Sequence, residues 1–100
     1  MGKESINIEG IIEFFKSQPI KKAWLFGSYA DGNATSDSDV DILIAYDDNA
    51  HVGLLKHTEI ILNLEEVLDK KVDLVPEDSL FDNLRPFVNK QRIQIYERND

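Results

Sequence analysis

Three carboxylates and one small-residue turn are the parts of this sequence that could do chemistry. Asp39 and Asp41 stand one residue apart, at the head of the apolar run Ile42-Leu43-Ile44. On a strand, residues i and i+2 share a face and lie about 6.5 Å apart, so the pair can grip one hard cation or bridge two. Magnesium suits such a pair, because it takes one or two carboxylates and fills its shell with waters and substrate phosphates. The plain alternative is a pair of solvated turn residues in an acidic protein. Against it stands the apolar strand they enter, where unneutralised charge is costly.

Gly27-Ser28 follows another short apolar run, Ala23-Trp24-Leu25-Phe26. Glycine lets a backbone approach a phosphate closely, and a helix starting at Ser28 would aim free N–H groups at it. Taken alone, the pair is an ordinary turn. Asp73 lies in Val72-Asp73-Leu74-Val75. If that strand lies beside the Asp41 strand, a third carboxylate reaches the same centre, able to bind a metal or accept a proton from an attacking hydroxyl. If not, Asp73 is a strand-end residue facing water.

The elements that must position these groups read as helix, strand, strand, helix, strand, helix and a last element of either type. Ile8, Ile11, Ile12 and Phe15 share one helical face after Asn7, a plausible N-cap, while Gly10 costs that helix about 1 kcal/mol. Pro19 stops it. The first strand covers Ala23–Phe26, and Tyr29 to Ser38 form a helical turn and loop. Val40–Tyr46 is the strongest strand, apolar on both faces beyond Asp41, as in a central strand covered on both sides. A long helix runs from about Val52 to Leu68, with Leu54, His57, Ile60, Ile61, Leu64, Val67 and Leu68 on its apolar stripe and Lys70-Lys71 suiting its C-terminal end. Pro76 closes the next strand. Ser79 is a candidate cap for a short helix with Leu80, Phe81 and Leu84, a further turn starts near Pro86, and Ile93–Tyr96 is a strand or a helix end. Trp24, Phe26, Phe14 and Phe15 are expected in the core. This order gives an α/β or α+β sandwich with a small mixed sheet, read as one domain over residues 1–100.

The totals agree with a soluble globular chain: 100 residues, 42% hydrophobic and 30% charged. A formal net charge of −8 argues against passive binding of nucleic acid, although divalent cations can invert the charge of a local carboxylate cluster. The absence of cysteine excludes disulfides and thiolate metal sites. With no apolar run of about 20 residues and no signal-peptide pattern, the cytoplasm is the expected compartment. His51 and His57 are badly spaced for one metal, and His57 reads as a helix-face residue. Tyr29 could touch a nucleotide or a partner. Arg85, Lys90, Arg92 and Arg98 read as a solvated basic face.

Gly27-Ser28, ten intervening residues and Asp39-Val40-Asp41 resemble the GS-x10-DxD signature of the DNA polymerase β nucleotidyltransferase superfamily. The wording LFGSYADG followed by SDSDVDILI, the length and the later VDLV strand resemble its minimal nucleotidyltransferases, the MNT proteins. The specific likeness covers Ala23 to Ala45 and, less closely, Lys71 to Val75. It implies a polymerase β palm-like fold and two-metal nucleotidyl transfer. Asp39 and Asp41 would hold two magnesium ions, with Asp73 on the catalytic one, and Gly27 and Ser28 would hold the outer phosphates of ATP. One departure stands out. These proteins commonly carry a basic residue in the turn (GSxARG), where this chain has Asp31; either the missing charge weakens triphosphate binding, or Lys21, Lys22 or Arg85 compensates from elsewhere.

The sheet and its helices consume the chain, so the acceptor is expected to bring its own recognition surface. MNT proteins are commonly partnered with a HEPN-domain toxin, and the resemblance implies an antitoxin that adenylylates that toxin, on a tyrosine hydroxyl. A different class of function is a binding module that neutralises its partner by occlusion, which Asp31 favours. A phosphoacceptor receiver domain also sets aspartates at strand ends, but it begins with a strand, whereas this chain begins with a helix.

Overall fold

Four side chains of one strand, Val40, Ile42, Leu43 and Ile44, are completely buried, and that strand has a partner on each side. It is β2, Val40–Tyr46, in a computed structural model that describes residues 6–98. The chain before it forms α1 (Ile8–Phe15), β1 (Ile20–Phe26) and the single turn α2 (Ser28–Asp31). After it come α3 (Leu54–Leu68), β3 (Val72–Pro76), two 3-10 turns, α4 (Arg85–Gln91) and β4 (Ile93–Glu97). The sheet order is β3-β2-β1-β4, antiparallel except for the β2–β3 pair. A parallel pair needs a crossover, and α3 supplies it. The mixed sheet with covering helices is the expected class.

Alternation along β2 divides the work of its two faces. Val40, Ile42 and Ile44 join Ile11 and Phe15 of α1 and Ile60, Leu64 and Leu68 of α3 in one core. Asp41 and Leu43 point to the opposite face, where β1 sets Phe26 and Trp24 across from them. Gly10 has a use that offsets its helical cost. A Cβ there would crowd the capping Asn7 side chain and Val67 of α3, so glycine permits both the cap, in which Asn7 Oδ1 accepts from Gly10 N–H at 3.0 Å, and the close approach of the helices.

Several boundaries differ from those expected. β1 begins at Ile20 rather than Ala23, because Ile20 and Lys22 pair with Tyr46 and Ala45 of β2. α3 starts at Leu54, and its stripe is narrower than the pattern suggested. Ile60, Leu64 and Leu68 are buried, but Leu54 is 80% exposed and Val67 40%. Lys70 and Lys71 lie beyond its last turn, after Asp69 in a left-handed conformation. Ser79 closes a 3-10 turn instead of opening a helix, and the helix near Pro86 is α4, with proline in its first turn. The last element is a strand. Trp24 and Phe26 are only half-buried, since they face away from the core of α1 and α3. Among the described residues no helix is long and apolar enough to cross a membrane.

Candidate active site

Register assembles the carboxylates. Asp41 and Asp73 are direct partners in the parallel β2–β3 pair, on strands about 4.8 Å apart. Two contacts hold that register at its N-terminal edge: Val40 N–H donates to Lys71 O at 2.9 Å, and Val72 N–H donates to Glu65 Oε2 at 3.0 Å. Asp39, one residue before β2, is exposed, as is Asp73, while Asp41 is half-buried. Burial first, and then the charges of Asp73 and Asp39, push the Asp41 carboxyl up from 3.8 to about 6. Asp41 therefore feels both of the other acids electrostatically.

On the other side of Asp41 stands the turn at Gly27. Phe26 pairs with Asp41, and Gly27 continues from it with φ +74° and ψ −153°, a conformation that essentially only glycine adopts. A Cβ at this position would collide with Asp41 Oδ2. Gly27 is thus required twice, by its backbone angles and by the carboxylate lying against it. Gly27 O accepts from Ala30 and Asp31 N–H, which starts α2, so the N–H groups of Ser28 and Tyr29 have no acceptor within the helix.

The Gly27-Ser28 turn and the acidic group therefore meet at one end of the sheet. Among the described residues no three or more acidic, histidine or cysteine side chains stand together as a group that could hold a metal ion. The donor set still fits magnesium, which takes one or two carboxylates and leaves its other positions to water and phosphate. Burial is the larger cause of the raised Asp41 carboxyl, and a nearby cation would relieve the part that the charges of Asp73 and Asp39 add.

The proposed substitutes for a basic residue at position 31 lie elsewhere. Lys21 pairs with Asp48 and Lys22 with Glu97, toward the other end of β1. Arg85 donates to Glu77 O at 3.1 Å and pairs with Asp82. The expected solvated basic face is in fact largely engaged: Arg92 pairs with Glu77 at 2.9 Å and lies 4.7 Å from the Trp24 ring, and Arg98 pairs with Asp47. Asp31 itself accepts from Asn33 N–H and from Gln91 Nε2, and Gln91 Oε1 accepts from Gly27 N–H at 2.9 Å. The motif gave no sign of Gln91, which lies 64 residues from Gly27.

His57 is more than a helix-face residue. Its Nε2 meets Leu74 O at 3.0 Å, and its Nδ1 meets Tyr46 Oη at 2.7 Å. A carbonyl can only accept, so Nε2 carries a proton, and in the neutral ring Nδ1 then accepts from Tyr46 Oη. This bridge borders a cleft of about 820 Å³ at the far end of β2 from Asp41. Three carboxylates lining that cleft, Asp47, Asp48 and Glu77, are already ion-paired. Tyr29 packs against the core, and its buried hydroxyl has no hydrogen-bond partner among the described residues.

Residues 8–98 match the nucleotidyltransferase domain family. The chain belongs to that family. It is 36% identical over 76 residues to the protein adenylyltransferase MntA of Thermococcus cleftensis, covering 76% of this chain and 75% of that protein. Among solved structures, a chain from a toxin–antitoxin crystallised with AMP-PNP superposes with a TM-score of 0.78 at 27% identity, covering 93% of this chain and 75% of the other. A chain of the Shewanella oneidensis complex between a tri-AMPylated HEPN toxin and an MNT antitoxin gives 0.69 at 25% identity, covering 91% and 70%. The fold is that of these minimal nucleotidyltransferases.

Proposed function

We propose that this chain is a protein adenylyltransferase that moves AMP from ATP to a hydroxyl of a HEPN-type toxin partner, and so acts as its antitoxin. The observation that carries the reading is the juxtaposition around Asp41, which has Asp73 as its register partner on one side and Gly27 pressed against it on the other. The relatives named above, with their AMP-PNP and AMPylated-toxin complexes, support the choice of nucleotide and partner.

In this reading the Gly27-Ser28 turn binds the outer phosphates of ATP, with the Ser28 hydroxyl and the N–H groups of Ser28 and Tyr29 as donors. Magnesium held by Asp39, Asp41 and Asp73 would neutralise charge on the attacking and leaving oxygens. A tyrosine hydroxyl of the partner attacks the α-phosphorus, the bond from that phosphorus to the bridging oxygen breaks, and pyrophosphate leaves. Asp73, exposed at the sheet edge, would take the hydroxyl proton. Most of the acceleration in such a site comes from positioning the reactants.

Co-expression with the genomic neighbour, followed by intact-mass measurement of that neighbour, tests the proposal. The expected result is a mass gain of one or more AMP units with the native chain and none with Asp39→Asn. No gain with the native chain, or an equal gain with the variant, would refute transfer and leave neutralisation by occlusion.

A further inference from the structure

We infer that Gln91 is a positioning residue for the phosphate-binding turn, and that Asp31 serves this site by fixing the orientation of the Gln91 amide. The inference deepens the adenylyltransferase reading and rests on it for the identity of the ligand.

The amide of Gln91 lies between two groups of opposite need. Gly27 N–H can only donate, and it gives its proton to Gln91 Oε1 at 2.9 Å. An ionised Asp31 carboxylate can only accept, and its Oδ2 takes a proton from Gln91 Nε2 at 3.1 Å. The two neighbours therefore leave one orientation of the amide, and reversing it would break both bonds. Arginine or lysine at position 91 has no acceptor for Gly27, and glutamate has no donor for Asp31. Glutamine satisfies both.

Several contacts deliver Gln91 to this place. It is the last residue of α4, followed by Arg92 and then β4, whose Ile93 and Gln94 pair with Leu25 and Trp24 of β1. The strand pairing thus brings the end of α4 beside the end of β1, where the turn begins. Arg92 adds a contact to the same strand through the Trp24 ring and is itself paired with Glu77. On the other side, Asn33 N–H, which donates to Ser28 O at 2.9 Å, also reaches Asp31 Oδ1 at 3.2 Å, a second contact on the carboxylate whose Oδ2 faces the amide. Because Gln91 occupies Gly27 N–H, phosphate is left with the N–H groups of Ser28 and Tyr29. The acidic residue in the turn is then a strut holding the cradle in shape.

Two readouts test this, neither of which needs the protein acceptor. One is hydrogen exchange of the Gly27 amide in the free protein; the other is the dissociation constant for AMP-PNP with magnesium. Gln91→Ala should speed Gly27 exchange and weaken AMP-PNP about fivefold to tenfold, the worth of one hydrogen bond. Gln91→Glu keeps an acceptor for Gly27 but sets two carboxylates face to face, so it should weaken AMP-PNP by a similar factor. Adding Asp31→Asn to Gln91→Glu restores a donor–acceptor match and should return affinity to within about twofold of native, a rescue that a packing role would not give. Thermal unfolding confirms that each variant is folded. Unchanged Gly27 exchange in Gln91→Ala, or no rescue in the double variant, would overturn the inference. Gly27 exchange that depends on Gln91, together with AMP-PNP binding but no AMP transfer by the native chain, would uphold the inference and refute the transfer reading alone.

Discussion

Replacing Asp41 with asparagine should make the metal-free protein more stable while abolishing AMP transfer. The Asp41 carboxyl is pushed up to about 6 from 3.8, by burial and by the charges of Asp73 and Asp39. That rise corresponds to about 3 kcal/mol. Asp41 is only half-buried, and solvent screening brings the net penalty of the ionised form to about 1–2 kcal/mol. The sign follows from linkage. A carboxyl with a raised folded value is neutral in both states below pH 3.8 and costs nothing there. The penalty grows from about pH 4 to 6 and is complete above pH 6. At pH 7.5 in chelator, Asp41→Asn should therefore unfold roughly 5–10 °C above the native chain, and the gap should close toward pH 4. Magnesium should raise the melting temperature of the native chain and leave the variant unmoved, because binding to the folded state alone stabilises it. Scanning fluorimetry over pH, with and without magnesium, measures all three effects. Equal melting temperatures at pH 7.5 in chelator, or a gap that persists at pH 4, would show that Asp41 bears no such charge strain.

Other substitutions probe the neighbouring parts. Gly27→Ala forces a side chain into a glycine-only conformation and against Asp41, so it should cost about 1–3 kcal/mol and eliminate transfer, as read by thermal unfolding and intact mass. Asp73→Asn should lower the rate of AMP transfer at least about 100-fold with AMP-PNP affinity changed far less, the pattern of a group acting on the acceptor proton. Tyr46→Phe leaves His57 Nδ1 without its donor and should lower stability by about 1 kcal/mol in chemical denaturation, with transfer intact. In the native chain, burial pushes the Tyr46 phenol up to about 12, so stability should fall as pH rises from 10 toward 12 and one tyrosine should ionise late by ultraviolet absorbance.

The sequence was most informative where the physics is local. The pair Asp39 and Asp41 at the head of an apolar run, the turn at Gly27 and the caps of α1 all depend on neighbours within a few residues. Asp73 was visible as a carboxylate, but its place beside Asp41 is a fact of strand pairing across the α3 crossover. Lys21 and Lys22 look like a loop in isolation and become strand only because β2 offers them partners. The wide apolar stripe of α3 was misleading for the same reason. The helix buries Ile60, Leu64 and Leu68 against one sheet face, and nothing among the described residues covers Leu54 or Leu55, which remain exposed. Gln91 was illegible because its partners are 60 and 64 residues away, and no period or motif connects them.

Among the described residues β3 is an edge of the sheet, paired with β2 on one side only. An unpaired strand edge is a template for adding strands from other molecules, and proteins blunt such edges with short length, charge and proline. β3 has all three: five residues, the exposed Asp73 carboxylate and Pro76 at its end. The acid assigned to the chemistry is therefore also the gatekeeper of this edge. Neutralising it leaves Val72, Leu74 and Val75 in an uncharged strand, so loss of catalysis and a gain in self-association would arise from the same two oxygen atoms.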